Sequence, residues 1–481
     1  MSKRVLISIV VLVIAACLVL SVLAVVGVLS LVPVSSTVST VETQATPNGQ
    51  TPTGQIPAGP ASTPVGQPST GTPQASSEAG VEIPADVLNE MHSIEKQVEA
   101  NRGLSLSGEI TRTLLTPDQL RQRVIDEFLK DYTPEDMAVD QKVMNVFGLL
   151  PRDFDIKTLY TNLYSEQIAG YYDDKTNEMV VVQGQGFNGP ERETYAHEFT
   201  HALQDSAYDL TNGLKTDEET CRKDSEYCAA VQSLIEGDAT LSEQLWLYND
   251  ATQKDRDQID EYYRNYKSPV YDSAPDFLKE DFLFPYDKGV NFVLGFYQQG
   301  GYPAVDKLYK NLPVSTEQIM HPERYPNDAP LKVDLPDFSA ALGADWKEIE
   351  RNNVGEWYTY LILAYGNAES YRLNQDQASK AAEGWGGDTY AVYSGPKDGD
   401  VALVYLSKWD TDADSQEFWQ AFQEYAKDRW GKPSQSGSDR LEWSSTDTGA
   451  VLVEREANGQ VLWVVAPDAQ TIDTLVGQIP Q

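Results

Sequence analysis

The sequence predicts an α+β fold in two units: a mainly helical domain with a small β-sheet over residues 83–345, then a smaller α+β domain over 346–481. Three observations carry this. A chain of 481 residues that is 41% hydrophobic, with nine tryptophans and 26 tyrosines, has core material for two or three domains. Apolar residues recur at helical spacing through most of 84–345, broken by one hairpin pattern. After about Asp345 the period changes, and four β-rich runs surround one helical run.

Ahead of the folded part, Met1-Ser2-Lys3-Arg4 leads into Val5–Val34, a stretch without a charged residue. About 20 such residues span a bilayer, so 1–34 reads as a cytoplasmic tip and an N-terminal transmembrane helix or signal anchor. Lys3 and Arg4 stay cytoplasmic, which places the folded domains outside a cell membrane crossed once. Ile14-Ala15-Ala16-Cys17 has the look of a lipoprotein processing site, and lipidation at Cys17 is the alternative. Residues 35–82, rich in Ser, Thr, Pro and Gly, offer too little apolar surface to offset ordering entropy and are expected to form a flexible stalk.

The formal charge of −36 argues against binding nucleic acid or anionic membrane surfaces, which a polyanion repels. Cys221 and Cys228 are the only cysteines beyond the membrane segment, and in an oxidising compartment they are expected to close a short loop.

From Pro84 to Tyr164 the pattern is mostly helical. In TPDQLRQRVIDEFLKDY, Thr116 is the N-cap, Pro117 takes the first helical position, and Leu120, Val124 and Phe128 share one face. IAGYYDDKTNEMVVVQ reads as a hairpin around Asp174-Lys175-Thr176-Asn177. The helix containing TYAHEFTHAL follows, and AAVQSLIEGDATLSEQLWLY is a second. Ser315 and Gln318 form a capping box for a short helix that Pro322 ends. In the second unit EWYTYLILAY is an apolar helix, DTYAVYSG, DVALVYLSKW, GAVLVERE and QVLWVVAP are strands, and DSQEFWQAFQEYAKDRW is a helix between them. Asp410, Asp412 and Asp414 imitate the start of a calcium loop, but its glycine and closing glutamate are absent, so helix capping is expected.

Two of only four histidines stand in TYAHEFTHAL. Positions four apart lie one helical turn above each other, so His197 and His201 can grip one ion, with Glu198 about 100° round at its edge. That arrangement suits zinc with a water-activating carboxylate. The longer zincin motif fails here, since Gln204 and Ala207 stand where it needs glycine and histidine. Glu236, alone on the apolar face of the next long helix, is costly unless paired or bound to a metal. Two histidines, one glutamate and a fourth position for water form the catalytic pattern of zinc.

HEFTHALQ followed about 35 residues later by Glu236-Gly237-Asp238-Ala239 resembles the gluzincin metallopeptidases, the thermolysin-related group, and especially the bacterial peptidase MA-like families with a Glu-Gly-x-Ala ligand helix. The likeness covers roughly 170–325. It implies a zincin-like catalytic domain, Zn2+ held by His197, His201 and Glu236, and Glu198 as the base that takes a proton from the attacking water and passes it to the leaving amine. Thr240 stands where thermolysin has an aspartate, leaving Asp238 or Asp205 as the expected partner of a ligand histidine.

His321 and Tyr325 are the candidate donors to the developing oxyanion; the other reading is that His321 caps a helix C-terminus or packs on a neighbour. The strand Met179–Val182 is either a place for an extended substrate to add as a strand or an ordinary sheet edge. The reading that results is a membrane-anchored, extracytoplasmic zinc endopeptidase acting on protein or peptide, with no obligate partner evident. The alternative is a cell-surface binding or assembly module whose zinc site is structural or vestigial.

Overall fold

A computed structural model describes residues 82–129, 132–183, 186–397 and 399–480. The expected membrane-spanning segment and all but the last residue of the expected stalk lie outside the described residues. Among the described residues, no helix is long and apolar enough to cross a membrane.

Helix α1 (Ala85–Arg102) ends at Gly103, whose φ of 78° is the left-handed conformation that closes a helix. Strand β1 (Thr111–Leu115) interrupts the helical reading of this region. Helix α2 (Pro117–Arg123) begins as its sequence dictates: the Thr116 hydroxyl accepts from the Gln119 N–H, and Pro117 occupies the first turn. It continues into one π-helical turn over Val124–Phe128, with Leu120 and Val124 buried. Helices α3 (Pro134–Phe147) and α4 (Ile156–Gln167) follow.

The predicted hairpin is present as β2 (Gly170–Asp173) and β3 (Glu178–Val182), with Asn177 at φ 52° in its turn. The sheet order is β1-β3-β2, with β1 parallel and β2 antiparallel to β3. This corrects the expectation for Met179–Val182. The segment is the central strand, hydrogen-bonded on both sides, and has no edge to offer a substrate. The edge on that side is β2.

Helices α5 (Gly189–Tyr208), α6 (Ser225–Asn249), α7 (Gln253–Asn265), α8 (Asp276–Gly300), α9 (Tyr302–Leu308) and α10 (Thr316–Met320) complete the first unit. The expected Cys221–Cys228 disulfide joins the short helix Glu218–Lys223 to the first turn of α6.

Two glycines let α6 and α8 touch backbone to backbone. A Cβ on Gly237 falls 2.2 Å from the Gly289 carbonyl, and one on Gly289 falls 2.1 Å from the Ser233 oxygen. The obstacle on each side is main chain, which cannot swing away. Gly237→Ala is therefore expected to force the helices apart, at about 1–3 kcal/mol as for other overpacked cores, and to displace the adjacent Glu236. Thermal unfolding together with zinc titration measures both effects; an unchanged midpoint would mean the contact is looser than described.

The second unit contains β4 (Lys347–Asn352), α11 (Gly355–Ala364), α12 (Gln375–Ala382), β5 (Trp385–Ser394), β6 (Val401–Trp409), α13 (Asp412–Trp430), β7 (Gln435–Ser436), β8 (Arg440–Thr446), β9 (Gly449–Arg455), β10 (Val461–Ala466) and α14 (Ala469–Val476). Its antiparallel sheet has the order β4-β5-β6-β10-β9-β8-β7, and the fold class is α+β as predicted. Asp414 is part of the capping box with Thr411, so the aspartate run does cap a helix. The units share a core: Phe147, ending α3, packs edge-on against Tyr390 of β5 and Trp463 of β10 at 5.2 and 5.5 Å.

The junction between the units is lined by buried acids. Glu226 Oε2 accepts from the Thr316 N–H and hydroxyl at 2.9 and 2.8 Å. Asp388 accepts from the Val354 and Gly355 N–H groups and the Trp385 indole. Glu317 and Glu356 lie close by with His321 and Arg324. Burial pushes Glu226 up to about 8 and Asp388 to about 6; burial and the nearby Glu356 charge push Glu317 up to about 9. Each acid thus keeps its proton to a higher pH folded than unfolded. Between the ordinary carboxyl range, about 4, and those raised values, the folded chain binds more protons and loses stability as pH rises. Hydrogen bonding to Glu356 raises His321, which acts in the same direction. The thermal midpoint is expected to be higher at pH 5 than at pH 9, and the reverse order would show that these acids are ionised in the fold.

Candidate metal centre

Helix α5 starts where Asn188 donates its N–H to Glu191 at 3.0 Å, with Pro190 in its first turn. Its apolar residues Tyr195, Phe199 and Leu203 pack against Met91, Ile94 and Val98 of α1 and Trp246 of α6. His197, Glu198 and His201 are thereby carried on a helix fixed by packing, and α6 crosses it with Glu236. All four side chains are buried.

His197 Nε2, His201 Nε2 and Glu236 Oε2 form a triangle with sides of 3.2, 3.4 and 3.4 Å. Ligands at 2.0–2.1 Å from a tetrahedral metal stand about 3.3–3.4 Å apart. The donor chemistry agrees with the distances. His197 Nδ1 lies 2.9 Å from Glu243 Oε2, and His201 Nδ1 lies 2.8 Å from Gln204 Oε1. Both partners are acceptors, so each ring carries its proton on Nδ1, and each Nε2 turns a lone pair inward. Two lone pairs and a carboxylate oxygen then converge on one point. That arrangement is repulsive unless a cation occupies it, and three protein donors leave a tetrahedral metal one position for water.

Burial disfavours the Glu236 carboxylate, and positive charge on the two rings against it would hold it down to about 2; with the rings neutral, a cation in the triangle supplies that charge instead. Glu198 behaves oppositely. Burial, reinforced by the charge of Glu236, drives its pKa well above the usual range, while His197 and the Tyr172 N–H of β2 act against the shift. Apart from the Tyr172 N–H that faces it, neither Glu198 oxygen meets a hydrogen-bonding group among the described residues. A buried carboxyl left so is expensive, and a water at the metal's open position would satisfy it. The residues present therefore fit a divalent metal with an adjacent base.

The expected histidine partners were Asp238 or Asp205, and the structure corrects both. Asp205 accepts from the Tyr172 hydroxyl and the Leu210 N–H, away from either imidazole. Asp238 reaches His201 only through Gln204. The direct partners were missed, although spacing marks them. Glu243 is seven residues after Glu236, two turns along the same face of α6, and Gln204 is three after His201 on α5.

His321 and Tyr325 are placed in other surroundings. The Ser315 cap is present, the Gln318 N–H donating to its hydroxyl at 3.3 Å, and α10 ends at His321. His321 Nε2 lies 2.8 Å from Glu356 Oε1 of α11, at the junction of the units. The Tyr325 hydroxyl donates to the Asn311 carbonyl, and its ring packs edge-on against Phe292 and Phe296. No hydrogen bond, ion pair or ring contact joins His321 or Tyr325 to the four residues of the centre among the described residues. His321→Ala is therefore expected to leave zinc affinity and kcat within about twofold of the parent. It should destabilise the fold by about 1–3 kcal/mol, because Glu356 is left buried without its partner. A hundredfold fall in kcat at unchanged stability would restore the oxyanion role.

One family, described as a Domain of unknown function (DUF8575), matches residues 344–476, which hold the seven-stranded sheet and none of the four residues at the centre. No curated protein and no solved structure matches this chain.

Proposed function

We propose that the chain is a zinc-dependent endopeptidase whose centre is His197, His201 and Glu236, with Glu198 as general base. The observation that carries the reading is the triangle of three inward-facing donors beside a buried carboxyl. Zinc, when bound there, supplies a Lewis acid that polarises a carbonyl and acidifies a water. Glu198 takes the proton from the attacking water at a carboxylate oxygen. It then delivers that proton to the nitrogen of the leaving amine as the peptide bond breaks. A carboxylate placed beside the open position of the triangle can accept a proton and return it. Glu243 and Gln204 hold the imidazole tautomers throughout. The edge strand β2, adjacent to Glu198, offers unpaired backbone groups to an extended peptide. The Cys221–Cys228 disulfide fits an extracytoplasmic, oxidising compartment.

The test is hydrolysis of an unstructured protein such as casein by the zinc-loaded chain. Cleavage should stop on addition of a chelator and return with zinc. Bound metal with no cleavage would favour a binding or assembly module with a structural zinc.

A further inference from the structure

Helix α3 ends in a way that its own residues do not complete. Its closing turn sets the Gly148 N–H on the Asn145 carbonyl at 2.9 Å and the Leu149 N–H on the Met144 carbonyl at 2.8 Å, with Gly148 left-handed at φ 86°. The Val146, Phe147 and Gly148 carbonyls are left over. All three residues are buried, so each carbonyl needs a donor from elsewhere. Among the described residues those donors lie in the second unit. Arg429, in the last turn of α13, donates from Nη1 to the Phe147 carbonyl at 3.1 Å and from Nη2 to the Val146 carbonyl at 3.0 Å. The Tyr425 hydroxyl lies 3.3 Å from the Phe147 carbonyl. The Gly148 carbonyl lies 2.8 Å from both the Tyr371 hydroxyl and the Asn367 N–H.

No carboxylate among the described residues pairs with Arg429. Its guanidinium is set among rings instead, 4.8 Å from the centroid of Trp430 and 5.7, 5.9 and 5.8 Å from those of Tyr371, Tyr425 and Trp463. Beside it the Phe147 ring stands edge-on to Tyr390, Tyr405 and Trp463 at 5.2, 6.4 and 5.5 Å, on the adjacent strands β5, β6 and β10. A Cβ on Gly148 would fall 2.6 Å from Arg429 Cζ.

We propose that the second unit carries a receptor for the carboxyl end of an α-helix, and that α3 is its occupant in this chain. A cation without an acid partner, aimed at bare carbonyls, matches the negative end of a helix dipole. The slot between the strands takes an aromatic ring at the last helical position. The lack of space beyond it selects glycine, which the left-handed turn favours as well. The second unit therefore grips the first through the end of α3, and does so whether or not the centre at His197 holds a metal.

The test is urea unfolding of the full chain, followed by two signals. Every tryptophan except Trp246 stands at residue 346 or beyond, so fluorescence reports the second unit, whereas most of the helices that dominate far-ultraviolet circular dichroism belong to the first. With α3 docked, the two transitions of the parent coincide. Arg429→Met keeps the length and loses the fork. Its fluorescence midpoint is expected to fall below its dichroism midpoint by about 0.5–1 M urea, the effect of losing charged hydrogen bonds at an ordinary denaturant slope. Leu452→Ala, on the other face of the same sheet, weakens the second unit without touching the receptor, so its two signals should fall together. If Arg429→Met does not fold, Tyr371→Phe/Tyr425→Phe removes two hydroxyls and keeps the rings, and separation in the same order is expected. Coincident transitions in whichever of these folds would overturn the proposal, as would a parent chain whose two signals already separate.

Discussion

Glu198→Gln is expected to keep its zinc and lose its turnover. The substitution preserves size and replaces the proton acceptor with an amide, leaving His197, His201 and Glu236 untouched. General bases contribute about 10²–10⁴ to rate, so kcat on casein should fall by at least that range while KM changes little. The buried environment makes the variant a clean probe. Burial disfavours the charge of Glu198, so a neutral amide should be no less stable there. Metal content and kcat measured on one preparation decide the matter. Turnover near the parent value would remove Glu198 from the mechanism.

Glu236→Ala is expected to do the opposite, losing the metal first and activity as a result. Two imidazoles alone leave a divalent cation short of the three protein ligands of a catalytic site. The variant also removes the only negative charge in the triangle. Two Nε2 atoms 3.2 Å apart then lack the counter-charge that makes the site attractive to a cation. Dialysed Glu236→Ala should hold no stoichiometric zinc, and His197→Ala should match it. Retained zinc with lost activity would point instead to Glu236 acting on the substrate.

The two variants together separate a ligand from a base, and the residues proposed for each stood out in the sequence. Histidines four apart and a glutamate between them are local facts, and helical geometry alone carries them to one face. Glu236 was legible because a carboxylate in an apolar helical run demands a reason. The hairpin, the four principal strands of the second unit and the capped helix at Ser315 were legible for the same kind of reason.

What failed to show depends on pairing across the chain. β1 is a five-residue strand, TRTLL, that exists because β3 accepts it in parallel, and β8 is half polar because only one of its faces is covered. The place of Met179–Val182 in its sheet could not be read without β1. Arg102 gives no local sign of its buried pairing with Asp238, since that partner lies 136 residues away. For His321 the sequence left two readings open, because a rigid cap next to a histidine suits an oxyanion and a packing contact equally, and the contact with Glu356 is visible only in the fold.

The central claim is that three inward-facing donors hold a metal, and the most direct measurement is the metal content of the purified chain after zinc loading and dialysis, determined by elemental analysis per mole of protein. One zinc per chain in the parent, one in Glu198→Gln and none in His201→Ala is the predicted result. A folded parent chain that retains no zinc, or a His201→Ala chain that retains one, would contradict it.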